Sequence, residues 1–175
     1  KYNPGWKVAF GNIVPDEEKG WGDKGYWVKR ADMDYGDWTR LRADKDPTFV
    51  GYGYTSDAIV GKHPSNFLFI DDILNEDNTR SARELAHVKS VYSGTIWPTR
   101  DPNDPLTVMS FTPWNDNDVY ADAKRTGMFE QLFTPVYDVV TKEPVWPEVM
   151  GREKVEKKRQ EDITGGVEFA RMYLL

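Results

Sequence analysis

The sequence predicts an α/β domain with a mostly parallel sheet, and two observations carry that prediction. Short β-favouring runs alternate with helical patterns along the chain. The strongest runs, Phe67-Leu68-Phe69-Ile70 and Leu106-Thr107-Val108-Met109, are continuous rather than alternating, as expected of strands buried on both faces.

Taken in order, residues 11–25 are rich in glycine (Gly20, Gly22 and Gly25 among them) and charge, and read as a loop. Tyr26-Trp27-Val28 and Thr48-Phe49-Val50-Gly51-Tyr52 are β-favouring runs. Phe67–Ile70 follows. Ser81-Ala82-Arg83-Glu84 has capping-box spacing, and Leu85, Val88 and Tyr92 then share one helical face. The turn Asp101-Pro102-Asn103-Asp104-Pro105 introduces the strand Leu106–Met109. Asp116 to Gly127 begins acidic, continues with Val119, Ala121 and Ala123, stops at glycine, and reads as a short helix. Gln131-Leu132-Phe133-Thr134-Pro135-Val136 is a further strand candidate, weakened by its proline. Pro144, Trp146 and Pro147 mark a boundary before a C-terminal helical appendage. In that appendage Glu153 and Lys157 stand at i,i+4 in the favourable orientation, so residues 152–162 read as an exposed helix. Thr164-Gly165-Gly166 breaks it, and Phe169, Met172 and Tyr173 mark a last amphipathic turn or two. The predicted organisation is residues 1–143 as one α/β body and 144–175 as a helical linker segment.

Composition narrows the chemistry. The chain has 175 residues, enough for one domain with a real core, and no internal repeat. It lacks cysteine, which excludes disulfide scaffolds, thiolate metal sites and cysteine nucleophiles. His63 and His87 are its two histidines, too few for a multi-histidine centre. With 29 Asp and Glu against 23 Lys and Arg, the formal charge of −6 disfavours a free-standing, sequence-blind DNA-binding domain, though not a local basic face. Seven tryptophans argue against disorder. The apolar runs are far short of a membrane span, so no membrane association is expected. The chain opens at Lys1 without a methionine and closes on the apolar Met172-Tyr173-Leu174-Leu175, and so reads as a fragment of a longer protein.

The most informative words are Phe67-Leu68-Phe69-Ile70-Asp71-Asp72. Ligands of open α/β sheets gather at the carboxyl ends of strands, where Asp71 and Asp72 fall. An apolar strand ending in an acid is the Walker B arrangement with which nucleotide hydrolases hold magnesium. The adjacent acid is placed to orient or deprotonate a water. Two neighbouring carboxylates repel, and Mg2+, a hard cation that prefers oxygen, balances them. The plainer alternative is that both acids only leave the sheet and begin a turn. Strand Leu106–Met109 runs into Ser110-Phe111-Thr112, where a hydroxyl residue is placed to sense a γ-phosphate. Its alternative is an ordinary strand-to-helix loop with Asn115 or Asp116 as the N-cap.

The order of these words resembles the large subunit of viral DNA-packaging terminases, notably tailed-phage members. Gly53 followed by Gly61-Lys62-His63 before the acidic strand is similar to that family's glycine and G-[RK]-H words. Thr112-Pro113-Trp114-Asn115 is similar to its Thr-Arg-Trp-His word. Trp146-Pro147-Glu148 and Phe169 to Tyr173 are similar to its W-P-E and F-x-x-x-Y words. The resemblance covers most of residues 47–175. It implies the second half of a P-loop NTPase fold of the additional-strand class and ATP-driven movement of double-stranded DNA into a procapsid. Asp71 would then sit on Mg2+, Asp72 on the lytic water, and Thr112 in the motif coupling hydrolysis to movement. Most relatives of the wider class have glutamate at the second acid, and aspartate has the shorter reach. Pro113 stands where arginine is frequent, so no role carries over there. The implied partners are the portal, the small terminase subunit and other copies in a ring. The implied location is the host cytoplasm, transiently docked on the procapsid.

The phosphate-gripping loop G-x-x-x-x-G-K-[ST] is not in the sequence. Around Gly61-Lys62, Ser56 stands where its first glycine belongs and His63 where Ser or Thr belongs. The resemblance therefore places that loop before Lys1 and a nuclease domain after Leu175, and makes this piece alone inactive as an ATPase. Lys62 is expected as a cation near the bound nucleotide or near a neighbouring subunit's. Arg30, Arg40, Arg42 and Arg100 are further candidates for a trans-acting cation. The basic helix with Arg152, Lys154, Lys157, Lys158 and Arg159 can meet DNA phosphates, although interleaved Glu153 and Glu156 suit a solvated face. Two other readings stand beside this one. The first is a non-catalytic α/β interaction module in which the acids are only a turn. The second is a carbohydrate-active hydrolase with a Trp-lined cleft, whose carboxyl groups must flank a bond about 5–9.5 Å apart, a poor fit for adjacent acids.

Overall fold

The structure, a computed structural model, describes residues 12–22, 25–42, 46–65, 67–101, 103, 106–138 and 140–174. The chain forms two compact units, Lys1–Gly53 and Tyr54–Leu175. It is a mixed α/β protein in which, among the described residues, parallel pairing is confined to one two-stranded sheet.

In the first unit, β1 (Ile13–Pro15) pairs antiparallel with β4 (Val28–Arg30), and β2 (Trp21–Gly22) with β3 (Gly25–Tyr26). The loop expected over 11–25 is therefore partly strand. Gly25 has φ +131°, and a Cβ there would meet Pro47 Cγ at 2.5 Å, so only glycine fits. The run Tyr26-Trp27-Val28 is split between β3 and β4. The strand expected over Thr48–Tyr52 is reduced to one bridge, Phe49 to Tyr26, with their rings stacked at 6.4 Å. Helix α1 (Tyr35–Arg42), which the sequence did not announce, starts where Asp34 Oδ1 accepts from the N–H groups of Gly36 and Asp37. It buries Trp38, whose indole N–H donates to the Val28 carbonyl at 3.1 Å.

The second unit begins with a 3-10 turn, Asp57–Ile59, capped by Ser56. Strand β5 (Phe67–Asp71) follows, then α2 (Glu76–Thr79) and α3 (Ala82–Val91). Asn75 and Asn78 cap α2 reciprocally, and Ser81 caps α3 by accepting from the Glu84 N–H at 3.2 Å, the expected capping spacing. A π-helical turn (Tyr92–Ile96) and a 3-10 turn (Trp97–Thr99) close α3. Strand β6 (Leu106–Ser110) then returns parallel to β5, with Phe67 opposite Leu106 and Asp71 opposite Ser110. The helical stretch between them supplies the crossover that parallel strands require. Helices α4 (Val119–Arg125), α5 (Arg152–Glu161) and α6 (Val167–Tyr173) complete the unit.

One face of the β5–β6 pair rests on a core of Leu74, Leu85, Val88, Val119 and Tyr120, joined by Met109, Phe111 and Trp114. The other face is open, which corrects the expectation of strands buried on both sides. Ile70 is 3% exposed, while Phe67, Phe69 and Leu106 are 41%, 44% and 63% exposed. The strand expected over 131–136 does not form. Pro135 cannot donate to a ladder, and Leu132 and Phe133 face solvent. In the C-terminal part, Val136 N–H donates to the Tyr173 carbonyl at 2.9 Å, and Val155 and Phe169 are buried. The Arg171 guanidinium stacks on Trp114, 3.8 Å from the ring centroid, which ties α6 to the loop after β6. Among the described residues no helix is long and apolar enough to cross a membrane.

Candidate functional site

The site is built where β5 and β6 end side by side. Asp71, the last residue of β5, lies opposite Ser110, the last of β6. The Ser110 hydroxyl donates to Asp71 Oδ1 at 3.1 Å. One residue on, the Asp72 N–H donates to the Ser110 carbonyl at 2.9 Å, so the parallel pairing runs one step past the strand. Asp72 then turns the chain with φ +38°, in the left-handed region that aspartate tolerates better than most residues. This turn sends the next residues toward the core while both carboxylates stay exposed. The Thr112 N–H approaches Asp72 Oδ1 at 3.4 Å, a long contact.

Two residues behind this rim hold it in place. The Tyr120 hydroxyl accepts from the Ile73 N–H at 3.1 Å and donates to the Ser110 carbonyl at 3.3 Å. Its ring stacks on Phe111 with centroids 4.0 Å apart and is 1% exposed. Burial pushes its hydroxyl well above the ordinary tyrosine range, so it stays protonated. Asp118, also 1% exposed, is the true N-cap of α4, rather than Asn115 or Asp116. Its Oδ1 accepts from the N–H groups of Tyr120 and Ala121 at 2.9 and 2.8 Å, and its Oδ2 from those of Trp114 and Asn115 at 3.3 and 3.2 Å. The loop from Thr112 to Asp118 is therefore shaped by one carboxylate.

The structure thus brings together three of the four sequence-predicted residues, Asp71, Asp72 and Thr112. Thr112 takes part through its backbone N–H, and the hydroxyl at the acids is that of Ser110. Lys62 lies after the 3-10 turn, its N–H donating to the Ile59 carbonyl, five positions before β5. Of the other cations, Arg30 pairs with Asp32 at 2.6 Å, and Arg40 pairs with Asp37. Arg100 stacks on Trp97, 3.4 Å from the ring centroid. Arg152 binds Glu143 at 2.8 Å and Lys154 donates to the Val149 carbonyl. Tyr120 was missed because it reads as one more apolar residue of a short helix. Its position two places after the capping acid is the signal that could have found it.

The donor set suits a hard cation. It offers two exposed carboxylates and a hydroxyl, all oxygen, with the rest of the sphere open to water or to phosphate oxygens. Among the described residues no group of three or more His, Cys, Asp or Glu gathers to hold a metal by itself. Mg2+ commonly takes one or two protein carboxylates and fills its octahedron from substrate and water. No protein-family model, curated protein or solved structure matches this chain.

Proposed function

We propose that this chain carries the acidic half of a Mg2+-dependent ATPase site, in a motor of the viral DNA-packaging terminase large-subunit type. The observation that supports it is the in-register pairing of Asp71 with Ser110 at the carboxyl ends of two parallel strands, with Asp72 exposed on the next turn. Asp71 and the Ser110 hydroxyl would hold Mg2+, and Asp72 would orient the attacking water. The metal, when bound, would neutralise charge on the phosphates. Lys62 is the expected cation of this reading, and Thr112 would belong to the motif that couples hydrolysis to movement. The fold would be part of a P-loop NTPase of the additional-strand class, residues 1–143, followed by the helical segment 144–175. The partners of this reading are double-stranded DNA, the portal, the small subunit and ring-forming copies, and its location is a procapsid-docked state in the host cytoplasm.

The test has two arms. In the 175-residue chain, Mn2+ used as a Mg2+ probe binds the wild type and is lost in Asp71→Asn. In the intact gene product, whose mass and N-terminal sequence show whether G-x-x-x-x-G-K-[ST] precedes Lys1, Asp72→Asn retains nucleotide binding and loses turnover. Near-normal ATPase in that variant defeats the role given to Asp72. A gene product without the phosphate-gripping loop defeats the ATPase reading. A non-catalytic interaction module is the second reading, favoured by the open apolar face of Phe67, Phe69 and Leu106. It predicts no effect of Mn2+ on the chain's melting temperature.

A further inference from the structure

We infer that Tyr120 is a positioning residue for the acidic rim: its hydroxyl, wedged between the Ile73 N–H and the Ser110 carbonyl, fixes where Asp72 points. The inference deepens the reading of Asp71 and Asp72 as a metal-holding pair, although the clamp itself is independent of any metal.

The argument is geometric. Asp72 sits between two anchors. On one side its own N–H is held by the Ser110 carbonyl. On the other, the N–H of the next residue, Ile73, is held by Tyr120 at 3.1 Å. A residue with φ +38° persists only where its surroundings over-determine it, and these two anchors do so. Both end on the same carbonyl, because the Tyr120 hydroxyl itself donates a hydrogen bond to Ser110 O at 3.3 Å. The hydroxyl therefore ties the turn after β5, and with it the backbone of Asp72, to the end of β6.

The ring itself cannot drift. It is packed flat on Phe111, and its backbone N–H is held by Asp118. Only the hydroxyl reaches the rim. Without it, Ile73 N–H is a donor with no partner, and the left-handed turn loses one of its two constraints. A hydroxyl buried merely for packing would touch neither the turn nor the strand end.

The test uses the 175-residue chain and Tyr120→Phe, which keeps the ring and removes the clamp. Tyr92→Phe is the control, since the Tyr92 hydroxyl meets Met109 Sδ at 3.8 Å and no rim residue. Amide hydrogen exchange at Ile73 is the first readout. The Ile73 N–H is expected to be protected in the wild type and to exchange about tenfold faster in Tyr120→Phe, the loss of one buried hydrogen bond. Mn2+ affinity, the second readout, is expected to fall by about three- to tenfold in Tyr120→Phe and to hold in Tyr92→Phe. Unchanged Ile73 exchange in Tyr120→Phe overturns the inference, and so does an equal loss of Mn2+ affinity in the control. If Tyr120→Phe does not fold, the wild type decides: an Ile73 amide exchanging as fast as a free one overturns the clamp, and a protected one supports it. Failure of the wild type to bind Mn2+ removes the metal reading alone, and Ile73 exchange still decides the positioning role.

Discussion

Asp71 and Ser110 face each other at the ends of two parallel strands, and the serine hydroxyl donates to the carboxylate at 3.1 Å. A side chain one atom beyond Cβ reaches across the strand spacing only when the register is exact, so this bond reports the pairing itself. It also fixes one Asp71 oxygen.

The first prediction concerns that bond. Ser110→Ala removes an exposed hydroxyl and should cost the fold under about 1 kcal/mol. It should nonetheless weaken Mn2+ binding several-fold, because Asp71 loses its orientation, while Ser110→Thr should restore most of it. Calorimetric titration of the three proteins checks this. Equal affinity in wild type and Ser110→Ala would show that the serine plays no part.

How much of this was legible beforehand can be read from single residues. Ser81 and Glu84 announced α3, and the apolar runs at 67 and 106 announced β5 and β6, because capping and β-propensity are local properties. The expectation that Phe67 and Phe69 are buried failed for a physical reason. Continuous apolarity marks both faces of a strand as suited to burial, and whether anything covers the second face depends on distant segments. The strands near Gly20 and Gly25 failed for the converse reason, since glycine- and charge-rich composition reads as loop while two-residue ladders need little propensity. At the candidate site, Asp71 and Asp72 stand out in the sequence because their chemistry is conspicuous. Tyr120 does not, because its role exists only through pairing across 47 residues to Ile73.

The sheet's two faces give the second prediction. Ile70 is 3% exposed on the core side, and Phe69 is 44% exposed on the open side. Ile70→Ala should destabilise by about 2–5 kcal/mol, whereas Phe69→Ala, though it removes more atoms, should cost less than about 1 kcal/mol. Urea unfolding of both variants decides it. A larger cost for Phe69→Ala would mean that the open face is covered in solution.

The third prediction rests on Asp118, whose carboxylate accepts from four backbone N–H groups while buried. Asp118→Ala leaves those donors without partners and removes a helix cap, which should cost about 2–3 kcal/mol. Asp118→Asn keeps one carbonyl oxygen and should lose about half of that. A change under about 0.5 kcal/mol for the alanine variant would contradict the capping geometry.

The last prediction is a pH dependence. Lys89 Nζ lies 2.7 Å from Asp122 Oδ2, joining α3 to α4, and Arg125 also contacts Asp122. The hydrogen bond from Lys89, followed by that from Arg125, holds the Asp122 carboxyl below its ordinary range. A lowered carboxyl pKa means that the unfolded chain binds the proton more readily. The stabilisation is therefore complete above the unfolded value of about 3.9 and is lost as pH falls through the lower folded value. Because the carboxylate is 42% exposed, solvent screens the pair, and its contribution should be only about 0.3–1 kcal/mol. Urea unfolding should therefore show Asp122→Asn less stable than wild type by that amount at pH 7. The gap should close toward pH 2 and shrink in 1 M salt. A gap that persists unchanged at pH 2 would assign the effect to packing rather than to the ion pair.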